Sequence, residues 1–221
     1  ECSIANSLWT DPEGRMQEDF VGRCSGIFDA QVFQEDLSAP VIVPALNSWV
    51  SDHTAGMIPQ IIQRPFGEDA AALMVNALYL KNTWATKFDP SDTVTRDFTR
   101  ADGTAEPLDF LQHFSRSLTY LQSGSDEGVL LPYDDGRLAF FALMPRQSSG
   151  VPDFERWLSS LTGEGLSALL SGREETFFLR LSLPKFEQEW SGELKDALAA
   201  LGLTDAFDPD LADFSLLGDD P

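Results

Sequence analysis

Basic residues are scarce. Fifteen Lys and Arg stand against 36 Asp and Glu in 221 residues, for a formal charge of −21 with both histidines neutral. Nucleic acid and anionic membrane surfaces demand clustered cations. The cations here are scattered singly, which counts against both partners and leaves solubility as the plain reading of the acidity. Long apolar runs are missing too. The longest, Leu138–Met144 and Ala70–Val75, fall far short of the roughly 20 residues a membrane-spanning helix needs. Cysteine is nearly absent: Cys2 and Cys24 fit neither a metal-ligand spacing nor a redox pair. Oxidised, they would close a loop of about twenty residues worth ~3 kcal/mol; two unpaired buried thiols are the equal alternative. There is no Asn-x-Ser/Thr sequon, and the chain opens on Glu1 without an initiator Met, a basic start or an apolar signal core. That start reads as a processed protein or a piece of a longer one.

Enzymatic constellations are also lacking. No G-x-S-x-G and no glycine-rich phosphate loop occur, and His53 and His113 sit in no triad context. Asp52 precedes His53, but neighbours on a helix point about 100° apart and do not face each other. Asp208, Asp210 and Asp219 fall at the first, third and twelfth positions of a calcium loop. Its sixth position is then Asp213, where Gly is needed, and its twelfth is not Glu. A solvated acidic run fits better; six Asp and no cation occupy the last seventeen residues.

What is present is a core. Apolar residues at 43% and aromatics at 11% exclude wholesale disorder, and the length allows one large domain or two small ones. Residues 41–63 carry a helical period through Leu46, Trp49, Val50, Met57 and Ile61, broken by Gly56 and Pro59. Ala70–Leu80 is apolar on both faces, which predicts a strand covered on both sides, with Asn76 as a buried amide in need of partners. From 97 to 144 the turn dipeptides Asp102-Gly103 and Asp135-Gly136, with a four-residue loop Gly124-Ser-Asp-Glu127, predict an antiparallel meander. Its runs are Leu118–Leu121, Val129–Tyr133 and Leu138–Met144, the last again apolar on both faces. Residues 153–170 read as helix, with Asp153 as its cap and a split at Gly163 and Gly165. A strand follows through Phe177, Leu179, Leu181 and Leu183, ending or bulging at Pro184. The last helix carries Leu194, Leu198 and Leu201, with Gly202 as its stop. Strands and helices come in blocks, without regular βαβ alternation, so the fold class is α+β.

Several strings carry more than their periodicity. Val75-Asn-Ala-Leu-Tyr-Leu-Lys-Asn-Thr-Trp84, continuing to Lys87-Phe-Asp-Pro90, resembles the serpin signature at the third strand of that family's central sheet. Asn47-Ser-Trp-Val50 with Thr54 and Gly56 resembles the helix lying across that sheet. Leu131-Pro-Tyr133, Gly136-Arg-Leu138, Leu143-Met-Pro145, Leu183-Pro-Lys-Phe186, Leu201-Gly-Leu-Thr-Asp-Ala-Phe207 and Ala212-Asp-Phe-Ser215 follow in the family's order, after Ile4-Ala-Asn-Ser-Leu-Trp9 near the start. Asn82 departs from the family's usual Gly, and Asp109-Phe-Leu111 from a common Met-Met pair.

The resemblance implies a serpin-like α+β fold of mixed and antiparallel sheets covered by helices. Residues 1–221 would form the middle portion of a single serpin domain, without the family's first helices and its C-terminal reactive loop. It implies an inhibitor of serine endopeptidases and not an enzyme. A target serine protease, or in some members a cysteine protease, cleaves the loop, which then inserts into the central sheet. A non-inhibitory serpin acting as a binding or carrier protein is the alternative. No cofactor, no metal, no catalytic residue, no nucleic acid and no membrane partner are implied. The compartment is extracellular, with intracellular members as the exception. The roles implied are mechanical. Ala70–Lys81 would border the insertion gap, with Asn76 where the sheet gates open and Trp84 where the loop first enters. Asn47, Trp49 and Thr54 would ride on the helix that shifts aside. A piece ending before the next central strand is expected to leave an unpaired edge at Ala70–Lys81 and not to persist as a stable monomer.

Overall fold

The structure is a computed structural model that describes residues 1–12, 16–100, 102–115, 118–146, 151–175, 178–215 and 217. It divides into two units, Glu1–Lys81 with Trp190–Pro221, and Asn82–Glu189.

In the first unit β1 (Cys2–Thr10) is the centre of a three-stranded sheet. The helix α1 (Glu18–Phe28) returns the chain so that β2 (Ala30–Gln34) lies parallel to β1. β3 (Ala72–Leu80) lies antiparallel on the other side of β1. Between β2 and β3 comes α2 (Ile42–His53). Ile42, Leu46, Trp49 and Val50 recur on one helical face and are all buried. They pack with Trp9, Leu37 and Ala77 into one core cluster. Pro44 is tolerated because it falls in the first turn of α2, where its missing N–H has no helical partner. The helical period does not continue to residue 63. Ala55 and Gly56 adopt positive φ of 51° and 79° after His53, and Met57 and Ile61 point outward at 73% and 43% exposure. The short helix α5 (Lys195–Ala200) ends at Gly202, whose φ of 101° is the left-handed stop that glycine suits.

Among the described residues of 1–221 only one face of β3 is covered. Ala77 and Tyr79 are buried, whereas Met74 and Leu78 on the opposite face are 65% and 62% exposed, and Asn76 is exposed with them. The period of two sets which residues share a face; what packs against that face is a tertiary property that composition does not contain.

In the second unit β4 (Val94–Thr99) and β5 (Ala105–Ser115) form a hairpin that β10 (Leu179–Pro184) extends, in the order β10-β5-β4. A separate sheet runs β8-β7-β6-β9 through β6 (Thr119–Ser123), β7 (Asp126–Pro132), β8 (Ala139–Pro145) and β9 (Arg173–Glu175). The expected meander is thus two sheets. Asp126 and Glu127 belong to β7, so Gly124-Ser125 is a two-residue turn with Gly124 at φ 57°. On β8 Phe140 and Ala142 pack toward the core, whereas Phe141 on the opposite face is exposed; Met144 shares the face of Phe140 and Ala142 but is exposed near the end of the strand. The helical stretch is split into α3 (Val151–Ser160) and α4 (Gly163–Ser171). α3 begins before Asp153, and Thr162, not a glycine, caps α4 by accepting from the Gly165 N–H at 3.1 Å. β10 ends at Pro184; Phe177 lies outside the described residues. Leu118, Val129 and Leu131 form one buried cluster of this unit, packed by Trp84, Phe88, Phe140, Ala142 and the leucines of β10; Leu121 and Leu169 are fully buried outside it. Among the described residues no helix is long and apolar enough to cross a membrane.

Candidate functional site

The residues singled out from the sequence fall into three places. The first is α2. Trp49 is buried and its indole N–H donates to Gln31 Oε1 on β2 at 2.6 Å, which pins the helix to the sheet by a polar contact as well as by packing. His53 stacks on the same indole at 4.2 Å, and its Nδ1 faces the Trp49 carbonyl at 2.7 Å. Asp52 faces Ser48 instead, so no Asp–His pair forms. Thr54, 2% exposed, ends the helix. Its hydroxyl donates to the Val50 carbonyl at 2.8 Å and accepts from the Ile58 N–H at 3.1 Å. Asn47 binds the returning chain: its carboxamide oxygen accepts from the N–H groups of Ile61 and Ile62, and its nitrogen donates to the Ile62 carbonyl at 2.8 Å.

The second place is β3. Asn76 stands directly opposite Asn6 in the antiparallel register. Its amide nitrogen donates to Asn6 Oδ1 at 2.8 Å, and Asn6 in turn donates to the Phe28 carbonyl at the end of α1 at 2.7 Å. Asn6 escaped the sequence reading, because its importance rests on this register and on a helix terminus 22 residues along the chain.

The third place, in the second unit, surrounds Trp84. Its ring stacks on Tyr133 at 5.0 Å, with Phe88 and Phe140 edge-on at 6.0 and 5.8 Å. The backbone on either side is stitched to the β7–β8 turn: Asp134 N–H donates to the Thr83 carbonyl at 2.8 Å and Ala85 N–H to the Pro132 carbonyl at 3.0 Å. Asn82 Nδ2 donates to Asp135 Oδ2 at 2.8 Å. Asp135 Oδ1 accepts from the Arg137 and Leu138 N–H groups, and these contacts, with the Asn82 amide adding to them, hold the carboxyl below its ordinary pKa.

Among the described residues no group of three or more His, Cys, Asp or Glu could hold a metal ion. Asp208 and Asp213 accept from the N–H groups of Asp210 and Ser215 in local turns, and Asp219 lies outside the described residues. Cys2 is exposed and Cys24 buried, and both are free thiols. An open cleft of about 530 Å³ in the second unit is lined by Ser125, Arg146, Arg156, Trp157 and Ser160 among others, with no general base among them.

A family model described as Serpin (serine protease inhibitor) matches residues 1–221. An uncharacterized serpin-like protein of Methanosarcina acetivorans is 25% identical over 218 residues, covering 97% of this chain and 50% of that protein. Plasminogen activator inhibitor 1 of Neovison vison is 32% identical over 232 residues, covering 99% of this chain and 56% of its own length. The chain spans about half the length of the curated relatives it matches. Among solved structures, the thermophilic serpin tengpin superimposes with a TM-score of 0.86 in both its latent and its native state, at 29% identity. These matches cover 99% of this chain and 58% and 55% of those chains. Native protease nexin-1, solved with heparin, gives 0.85 at 24% identity over 100% of this chain and 60% of its own, a likeness of fold. The whole-length family match and the order of sheets and helices agree: this chain belongs to the serpin family.

Proposed function

We propose that the protein containing these residues inhibits a serine endopeptidase by the serpin route, in which a cleaved reactive loop enters the central sheet beside β3. The observation that carries this reading is the match of residues 1–221 to a family model described as a serine protease inhibitor. Among the described residues β3 pairs with β1 alone, and its other edge is where a further strand of the longer protein or an inserted loop would add. An extended segment can add to such an edge as a strand, and serpin loop insertion is one instance of that mode. In this reading residues 1–221 are the middle portion of one serpin domain, and the site residues are mechanical. Asn76 and Asn6 tie the strand at the gap to its neighbour. Trp49, Asn47 and Thr54 set how firmly α2 sits on the sheet. Trp84 marks where the loop starts to enter. The driving force is a bistable fold that releases stored free energy when the loop becomes a strand.

The test uses the full-length protein against a panel of serine proteases. Inhibition by this route yields an adduct that survives SDS, and cleavage of the reactive loop raises the melting temperature sharply. No adduct across the panel, together with an unchanged melt after cleavage, would leave a passive binding or carrier protein instead.

A further inference from the structure

We propose that the Asn82–Asp135 hydrogen bond is a clasp on the Trp84 segment that slows entry of the reactive loop; the inference rests on the inhibitory reading above. Residues 82–85 follow β3 directly in the chain and lie against the β7–β8 turn at residues 132–138. The backbone contacts and the Trp84–Tyr133 stack in this seam need only a peptide chain and two aromatic rings. The Asn82–Asp135 bond is of another kind, since it requires these two particular side chains.

Three features make it a clasp. Asp135 is held before it meets Asn82: one carboxylate oxygen accepts from two backbone N–H groups of its own turn, at 3.0 and 3.2 Å, which aims the other oxygen at the Asn82 amide. Little rotamer freedom is then lost when the bond closes. The bond is charge-assisted, and so stronger than a neutral pair. Asn82 is anchored at its other end, because its carboxamide oxygen accepts from the Thr83 N–H at 2.9 Å. One amide therefore fixes the backbone immediately before Trp84 and reaches across 53 residues of sequence to the turn. Glycine at position 82 would have no side chain for either contact. Asn82 is a positioning residue, and it touches no substrate.

The experiment compares the full-length protein with Asn82→Gly, Asn82→Asp and the swapped pair Asn82→Asp/Asp135→Asn. Two rates are read, amide hydrogen exchange at Asp134 and Ala85, and annealing of a peptide copying the protein's own reactive loop. Asn82→Gly is expected to speed both by ~3–10-fold, the weight of one partly exposed charge-assisted hydrogen bond. Asn82→Asp, which sets carboxylate against carboxylate at pH 7, should do the same or more. The swapped pair restores amide against carboxylate and should bring both rates back toward wild type, a recovery that mere loss of stability would not give. Unchanged exchange in the single variants, no recovery in the swapped pair, or faster exchange with unchanged annealing would each overturn the proposal. Annealing needs no protease, so a wild type that forms no adduct while these rates shift as expected refutes the inhibitory reading and leaves the clasp standing.

Discussion

Asn76 donates to Asn6 at 2.8 Å across the β1–β3 pair, and Asn6 passes the contact on to the Phe28 carbonyl at 2.7 Å. One side chain thus ties β3 to β1 and satisfies a carbonyl at the C-terminal end of α1, where helical partners run out. The two residues are therefore unequal. Asn76→Ala removes the Asn6 bond and a long 3.5 Å contact to the Ala5 carbonyl on an exposed face and should cost about 0.5–1.5 kcal/mol, whereas Asn6→Ala removes two short bonds and should cost more. Asn6→Asp separates them, since a carboxylate still accepts from Asn76 but cannot donate to Phe28 and sits unfavourably at a helix C-terminus. Urea unfolding of the three variants and of the double alanine checks this. Fully additive single changes would show that the two amides do not act as a pair.

Thr54 is the next case. Its hydroxyl is buried at 2% exposure and makes contacts on both sides, to the Val50 carbonyl and the Ile58 N–H. Thr54→Val keeps the shape and strips the Ile58 N–H of its acceptor, for an expected loss of about 1–3 kcal/mol. Thr54→Ser keeps the hydroxyl and loses one methyl, about 0.8 kcal/mol. Denaturant midpoints that rank serine below valine would remove the cap from the account of how α2 ends.

Periodicity was sufficient for α2, β3, β6, β7 and β8, where apolar residues repeat over several turns or pairs. It failed at α1, whose eleven residues include Gly22 and Gly26 and bury Cys24 alone. It failed at β2 and β9 too, because strands of five and three residues exist through their partners β1 and β6, not through their own pattern. The residues of the site were legible mainly as strings resembling a family, which name Asn47, Trp49, Thr54, Asn76 and Trp84 without their contacts. The partnerships of Asn6 and Asp135 were not legible, although one stands in a family-like string and the other in a turn dipeptide, since each matters through a partner distant in sequence that only register and turn geometry bring near. Exposure of Asn76 was missed for the same reason that both faces of β3 were expected to be covered.

Acid should weaken the turn at Asp135. Backbone N–H groups of Arg137 and Leu138, with the Asn82 amide, hold its carboxyl below the ordinary 3.8. A depressed native pKa means that the unfolded chain takes up the proton first. The stabilisation is therefore complete above 3.8 and disappears as pH falls through the native value. Asp89, held down chiefly by the Ser91 hydroxyl and N–H, behaves alike. Loss of negative charge from a chain at −21 acts in the opposite direction by relieving repulsion, so the wild type alone cannot isolate the effect. Asp135→Asn can. The gap in urea midpoint between the variant and the wild type should be wider at pH 7 than at pH 3, and an equal gap at both would contradict the assignment.

Asn47 provides the sharpest local test, because its three hydrogen bonds all fall on two consecutive residues. The carboxamide oxygen accepts from Ile61 N–H at 2.8 Å and Ile62 N–H at 3.1 Å, and the nitrogen donates to the Ile62 carbonyl at 2.8 Å. Ile61–Ile62 lies in the irregular stretch between α2 and β3, where no helix or ladder is available to satisfy those groups. Asn47→Ala should cost about 1–3 kcal/mol and accelerate hydrogen exchange at Ile61 and Ile62 while leaving the amides of β1 near their wild-type rates. Asn47→Asp should fall between, since it keeps both acceptor contacts with added charge but turns an oxygen toward the Ile62 carbonyl. If aspartate proves worse than alanine, repulsion at that carbonyl outweighs the two retained bonds. If alanine leaves the exchange of both amides unmoved, the side chain does not hold this segment to α2, and its part in seating the helix over the sheet falls with it.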